Sequence, residues 1–248
     1  TSPGIPSDSK WITSLDARGI EVISEFELGA SRCKCPILAI TGSKGKSTLA
    51  KLCAESLASG GMRTVIAGNY GTPICKVARR SGFMDWIVAE VSSFQLEKVK
   101  DFKPRVGILL NIQPDHLDRH GTMHDYARIK ARIFARMDRT CTGIAPDGIR
   151  KRVSALSTGG NRWTTFGLTK SADYRYSGGI VRFKQGGRIK RASFRGTGFQ
   201  NDILGTAAAA AVAAIRSCGL NAASVERAAA KFQPLPHRMS ELPSVNGV

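Results

Sequence analysis

Lys46 and Ser47, placed behind a glycine turn and ahead of a helical pattern, have the types and spacing of a phosphate clamp. The turn reads Gly42-Ser43-Lys44-Gly45, and Thr48 follows the pair. Glycines let backbone N–H groups converge on anionic oxygens, the amino end of a helix adds partial positive charge, and a lysine reaches the outer phosphates. Ser47 offers a hard hydroxyl oxygen to a Mg²⁺ ion bridging those phosphates. The pattern is G-x-x-G-K-S rather than the strict eight-residue form, because Ile40 stands where that form has a glycine. An ordinary strand–turn–helix connection with solvated lysines is the plain alternative. The flanking apolar strand and helix favour a nucleoside triphosphate site.

Other polar groups fall where such a site needs them. In parallel α/β sheets ligands gather at the carboxyl ends of strands. Four features read that way: the phosphate loop, Gly68-Asn69, Glu90-Val91-Ser92-Ser93, and the stretch from Asn111 to His116. Glu90 is a natural partner of Ser47 for Mg²⁺, since that ion takes hard oxygen ligands; its plain reading is a capping or salt-bridged acid. His116 by itself reads as a hydrogen-bonded turn histidine. His120 and His124 are spaced i,i+4 but lack a third ligand at known spacing, so zinc is rejected.

The elements that must hold these groups alternate. Ile37–Ile40 is an apolar run of strand length, and Leu49, Leu52, Cys53 and Leu57 share a helix face that Gly60-Gly61 ends. Strands follow at Thr64–Ala67, Asp85–Val91, Val106–Asn111 and Thr140–Ala145, with helices at Phe94–Val99, Met123–Met137 and Asp147–Ala155. The fold class expected is α/β: a mostly parallel P-loop-type sheet flanked by helices. From Trp163 to Arg195 short strands joined by Gly-rich turns predict a small appended antiparallel sheet. Helices are predicted at Asn201–Cys218 and Ala222–Phe232, and the chain ends in what reads as another strand. Residues 1–35 read as a turn, a helix near Trp11–Arg18 and a strand Ile20–Ser24.

Bulk properties bound the rest. The 248 residues are 42% hydrophobic and 23% charged, a globular balance with no apolar run near the ~20 residues that span a bilayer. The chain does not begin with Met and reads as a piece of a longer polypeptide. Six scattered cysteines read as reduced intracellular thiols. Lys and Arg number 37 against 19 acids, a net charge of +18. No zinc finger, heptad basic region or aromatic-rich RNA-binding motif accompanies that charge. The expectation is a solvated basic surface that suits anionic substrates, with no nucleic-acid partner.

Four blocks together resemble a known family, the Mur ligases: Thr41–Thr48, Gly68–Pro73, Glu90–Glu97 and Asn111–Arg119. These are ATP-dependent amino-acid ligases of peptidoglycan synthesis. The block Glu90-Val91-Ser92-Ser93-Phe94-Gln95-Leu96-Glu97 is similar to the branch that adds D-glutamate. The resemblance implies that Gly42, Ser43, Lys44, Gly45, Lys46, Ser47 and Thr48 hold ATP, and that Ser47 and Glu90 bind a first Mg²⁺. It implies that His116 and Lys130 serve a second Mg²⁺, Lys130 as a carbamate formed with CO₂; from the residues alone Lys130 is one base in a basic helix. Asn69 and Ser92 then contact the nucleotide-sugar substrate, Asn201 the adenine and Arg238 the nucleotide. Lys46, Glu90, His116 and Lys130 are the catalytic set so implied. The reaction implied joins D-glutamate to UDP-N-acetylmuramoyl-L-alanine at the expense of ATP, in the cytoplasm.

Lys44 departs from the family's usual Asn, and Leu204 stands where a second nucleotide-contacting Asn is usual. The resemblance divides the chain into 1–35, the tail of an amino-terminal uridine-nucleotide-binding domain; 36–236, a central ATP-binding domain; and 237–248, the start of a connection to a carboxy-terminal domain. The competing readings are another ligase of the superfamily, including a folylpolyglutamate synthase-like enzyme, and a non-catalytic nucleotide- or nucleic-acid-binding module.

Overall fold

A computed structural model describes residues 1–6 and 9–235. Nine strands form one sheet: β1 Ile37–Thr41, β2 Thr64–Gly68, β3 Trp86–Glu90, β4 Val106–Leu109, β5 Thr142–Pro146, β6 Arg162–Gly167, β7 Tyr174–Ser177, β8 Ile180–Gln185 and β9 Arg188–Ser193. Their spatial order is β2-β3-β1-β4-β5-β6-β7-β8-β9. Pairing is parallel from β2 through β7 and antiparallel for β7–β8 and β8–β9. The α/β expectation holds, and the antiparallel strands continue the main sheet as its far edge.

The helices are α1 Lys10–Ala17, α2 Glu25–Arg32, α3 Lys46–Ser59, α4 Ile74–Ala78, α5 Ser93–Leu96, α6 Leu117–His120, α7 Met123–Ala131, α8 Arg150–Ala155, α9 Asp202–Ser217 and α10 Ala223–Lys231. Two apolar layers sandwich the parallel strands. Leu38 and Ile40 of β1 join the residues of α3, α9 and α10 in one layer, whereas Ile37 and Ala39 join Phe26, Ile74 and Phe134 in the other. Because successive strand residues point to opposite faces, a strand buried on both must be apolar throughout. Ile37–Thr41 is buried along its whole length. The alanine run Ala207–Ala211 is fully buried as well, and its small side chains let α9 lie close on the sheet.

Three local expectations change. Ile20–Ser24 is not a strand; Ser24 instead caps α2, its hydroxyl accepting the Glu27 N–H at 3.0 Å. The Ser-x-x-Glu start of a helix was legible there. The Glu27 carboxylate turns inward and accepts the Lys100 and Asp101 N–H groups, tying α2 to the loop before β4. The helix expected over Met123–Met137 is α-helical only to Ala131 and tightens to a 3₁₀ turn at Arg132–Phe134. The strand expected at the end of the chain, and Arg238, lie outside the described residues.

Candidate active site

Strand order brings the predicted groups together. β3 lies beside β1 in a register that pairs Ile40 with Glu90, and β2 lies beside β3 with Gly68 opposite Glu90. Three segments distant in sequence therefore end side by side at the carboxyl edge: the phosphate loop, Asn69 and Glu90.

Gly45 heads α3 at φ +81°, a conformation that favours glycine, and no side chain caps this helix. Its amino end is thus available to an anion. Lys46 folds back over the turn, its ammonium donating to the carbonyls of Gly42 and Ser43 at 3.0 and 2.9 Å. Ser47 donates to a Glu90 carboxylate oxygen at 2.6 Å, and Asn69 donates its side-chain amide to the other at 2.7 Å. Ser47 and Glu90 are both buried. Gly68 makes this possible: at φ +96°, a Cβ there would stand 2.3 Å from the Glu90 carbonyl. A hydroxyl and a carboxylate oxygen this close, buried beside a phosphate loop, are a hard donor pair that fits Mg²⁺.

Lys130 of α7 reaches the same loop. Its side chain is buried and its ammonium donates to the Gly42 carbonyl at 2.9 Å, 4.4 Å above the Tyr126 ring. Burial, assisted by the nearby Lys46 charge, pulls its pKa down to about 7. This lysine looked like one member of a solvated basic helix; only its burial sets it apart.

His116 stands at φ +53°, the one described non-glycine residue with positive φ. Its half-exposed ring lies 3.8 Å from the Asp115 carboxylate and packs on Phe94, with ring centres 4.8 Å apart. Phe94 is fixed from behind by Arg119, whose guanidinium covers the ring, grips Glu97 through two hydrogen bonds of 2.9 and 2.6 Å, and donates to the carbonyls of Pro3 and Ile5. His120 is buried against Ser93, and burial lowers its pKa. Among the described residues, no group of three His, Cys, Asp or Glu side chains is arranged to hold a metal ion.

Two predicted residues have local partners. Ser92 caps α5 in a reciprocal capping box with Gln95. Asn201 caps α9 by accepting the Leu204 N–H at 2.8 Å. Neither bond prevents a second contact, but each accounts for the residue without a ligand.

One residue outside the predicted set shapes the loop. The Asn111 side chain accepts the N–H groups of Ser43 and Lys44 at 2.9 and 3.0 Å and donates to the Lys44 carbonyl at 3.0 Å. Its signal was its place just past a strand end. Beside the loop opens a cleft of about 640 Å³, walled by Leu110, Pro146, Phe166, Leu204 and Ala207 and edged by Lys44 and Thr48. An apolar slot next to a phosphate cradle suits a flat heteroaromatic base.

The comparisons agree with this geometry. The model of the Mur ligase middle domain matches residues 40–215. A UDP-N-acetylmuramoylalanine–D-glutamate ligase from Pelotomaculum thermopropionicum is 36% identical over the whole chain, which spans 55% of that relative. A ligase of the same name from Koribacter versatilis is 47% identical over 133 residues, 54% of this chain and 29% of the relative. The chain spans about half the length of the curated relatives it matches end to end. In fold it resembles MurF from Acinetobacter baumannii, with a TM-score of 0.70 at 18% identity, over 90% of this chain and 52% of that one. The Thermotoga maritima MurF ligase crystallised with ADP gives 0.65 at 17% identity, over 86% and 52%. With more than half of its residues matched by the middle-domain model, this chain belongs to the Mur ligase family.

Proposed function

We propose that the protein this chain represents is an ATP-dependent ligase that joins the amino group of D-glutamate to the carboxylate of UDP-N-acetylmuramoyl-L-alanine. The observation that carries this reading is the convergence of Lys46, Ser47, Glu90 and Asn69 at one strand edge, in a chain similar throughout to ligases of that name. We propose the same division of the chain as the sequence suggests, with 36–236 as the ATP-binding unit.

A carboxylate is a poor acyl donor because oxide would have to leave. In the reaction proposed, the substrate carboxylate oxygen attacks the γ-phosphorus of ATP, the bond to ADP breaks, and an acyl phosphate forms. The amine then attacks the acyl carbon, phosphate departs with the bonding electrons, and the amine loses a proton. Lys46 and the amino end of α3 hold the phosphoryl oxygens as charge moves across them. Ser47 and Glu90 would hold Mg²⁺, which supplies further charge neutralisation when bound. Asn69, anchored to Glu90, fixes that carboxylate and faces the nucleotide-sugar side. The cleft at Leu204 receives the adenine beside Asn201.

Lys130 and His116 are the candidates for a second metal. Burial favours the neutral amine of Lys130, the form that adds to the carbon of CO₂ with loss of a proton to give a carbamate. Mass spectrometry of the protein under ¹³CO₂, with Lys130→Arg as control, tests this step independently of activity. The function is tested in the full-length protein by phosphate release dependent on both substrates. Lys46→Ala should lower turnover by on the order of 10²–10³-fold with folding retained. Turnover near that of the wild type overturns the reading, and use of a folate in place of the nucleotide sugar would move the protein to another branch of the superfamily.

A further inference from the structure

The reaction leaves the basic charge unexplained, and that charge is not evenly spread. Between residues 170 and 195 the chain carries eight Lys and Arg residues against a single acid, Asp173. Asp173 is engaged, accepting both the N–H and the hydroxyl of Thr165.

Strand register places Arg175, Arg182, Lys184 and Arg191 on one face, whereas Arg188 and Lys190, paired with Gln185 and Phe183, alternate to the other. Arg175 pairs directly with Arg182, and Arg182 with Arg191, so three guanidinium side chains form a row across β7, β8 and β9. Lys184 and Ile189 make the next rung. The alternate residues Tyr174, Tyr176, Val181, Phe183 and Ala192 point the other way, into the core under α9 and α10. The second core layer contains no residue of β7–β9. The arginine face is thus uncovered among the described residues, and the hairpin Lys184–Arg191 projects from it, exposed throughout. Like charges directly opposite one another on neighbouring strands destabilise a sheet. Protection of a sheet edge would account for cations on β9. It does not account for Arg175 and Arg182, which lie on paired inner strands.

We propose that this face and its hairpin dock on an anionic lipid bilayer. A flat array of cations matches a plane of phosphate headgroups, and clustered Lys and Arg beside such a surface each add to the attraction. Ile189, 66% exposed at the hairpin, shares this face with its cross-strand partner Lys184 and with Arg191, and is placed to enter the headgroup boundary while those cations stay with the phosphates. Single-stranded nucleic acid needs exposed aromatic rings for stacking. The aromatics of these strands are turned into the core, so the lipid surface is the better match.

The test is sedimentation of the full-length protein with vesicles of phosphatidylcholine alone or mixed equally with phosphatidylglycerol. Binding is expected only to the mixed vesicles, with release by added salt. A triple variant of the face, Arg182→Gln with Lys184→Gln and Arg191→Gln, should lower partitioning on the order of a hundredfold. Its melting temperature should not fall and its nucleotide binding should stay unchanged, and Ile189→Ser alone should also weaken partitioning. Equal binding by wild type and triple variant overturns the proposal, as does failure to bind the mixed vesicles. Retention on a duplex oligonucleotide without vesicle binding would assign the face to nucleic acid instead.

Discussion

The strands β1 to β4 and the strands β7 to β9 belong to one sheet but use its surface in opposite ways. In the first group β1, β3 and β4 are buried on both faces, so polar chemistry has room only where the strands end. Lys46, Ser47, Asn69 and Glu90 all sit at that carboxyl edge. In the second group helices cover a single face, and the other carries side chains directly into solvent. There the strand middles hold the charge, at Arg175, Arg182 and Arg191. The contrast follows from connectivity: parallel strands need crossover helices that cover both faces, whereas tight hairpins bring none.

Substitutions can break or sharpen this contrast. The largest effect is expected at the parallel edge. Glu90→Gln keeps the shape and the Ser47 contact but removes the charge, and should lower ligation by the full-length protein on the order of 10²–10³-fold. Its thermal midpoint should barely move. Arg182→Gln, on the antiparallel face, should leave ligation intact; equal losses in the two variants would erase the division of labour.

Lys130 gives a pH-dependent version of the same test. Its folded pKa, about 7, lies below the usual lysine value, so from pH 10 down to 7 the unfolded chain binds the extra proton. Stability relative to Lys130→Met should therefore fall as pH drops through that window, by up to about 1.4 kcal/mol per pH unit. Denaturant titrations in CO₂-free buffer measure it, and a flat difference would mean the lysine is solvated.

Gly68→Ala should cost about 1–3 kcal/mol, through positive φ and the contact with the Glu90 carbonyl. It should also shift Asn69 away from the Glu90 carboxylate, visible as weakened nucleotide-sugar binding. The smallest effect runs the other way. Arg191→Thr relieves one like-charge pair and favours strand geometry, so the denaturation midpoint should rise by a few tenths of a kcal/mol, about 0.2–1. A fall would show that the row is internally compensated.

Much of the site could be read in the sequence because its signals are local. The glycine turn with Lys46 and Ser47 announces itself within eight residues, and Glu90 is the acid closing a continuous apolar run. Asn111 was legible only as the start of a polar strand end; its role, locking a loop 67 residues away, is one that no local pattern encodes. Ser92 and Asn201 drew attention as ligand contacts, but the helices that start beside them also use them as caps. The strand expected at Ile20–Ser24 failed for a similar reason: a capped helix begins at once and leaves its apolar residues to pack from a loop.

Alternation of apolar runs, glycine turns and helical periods therefore determined the class of fold, the phosphate cradle and the order of its elements. Those features depend on backbone preference and on hydrophobic period, both short-range. Tertiary structure decided the rest. The placement of β3 beside β1 sets Glu90 against Ser47, and burial beside the Lys46 charge turns Lys130 from an ordinary base into an amine with a depressed pKa. Cross-strand register likewise converts scattered arginines into a row. Each depends on which strands become neighbours and what covers them, a matter of long-range packing that residue spacing does not specify.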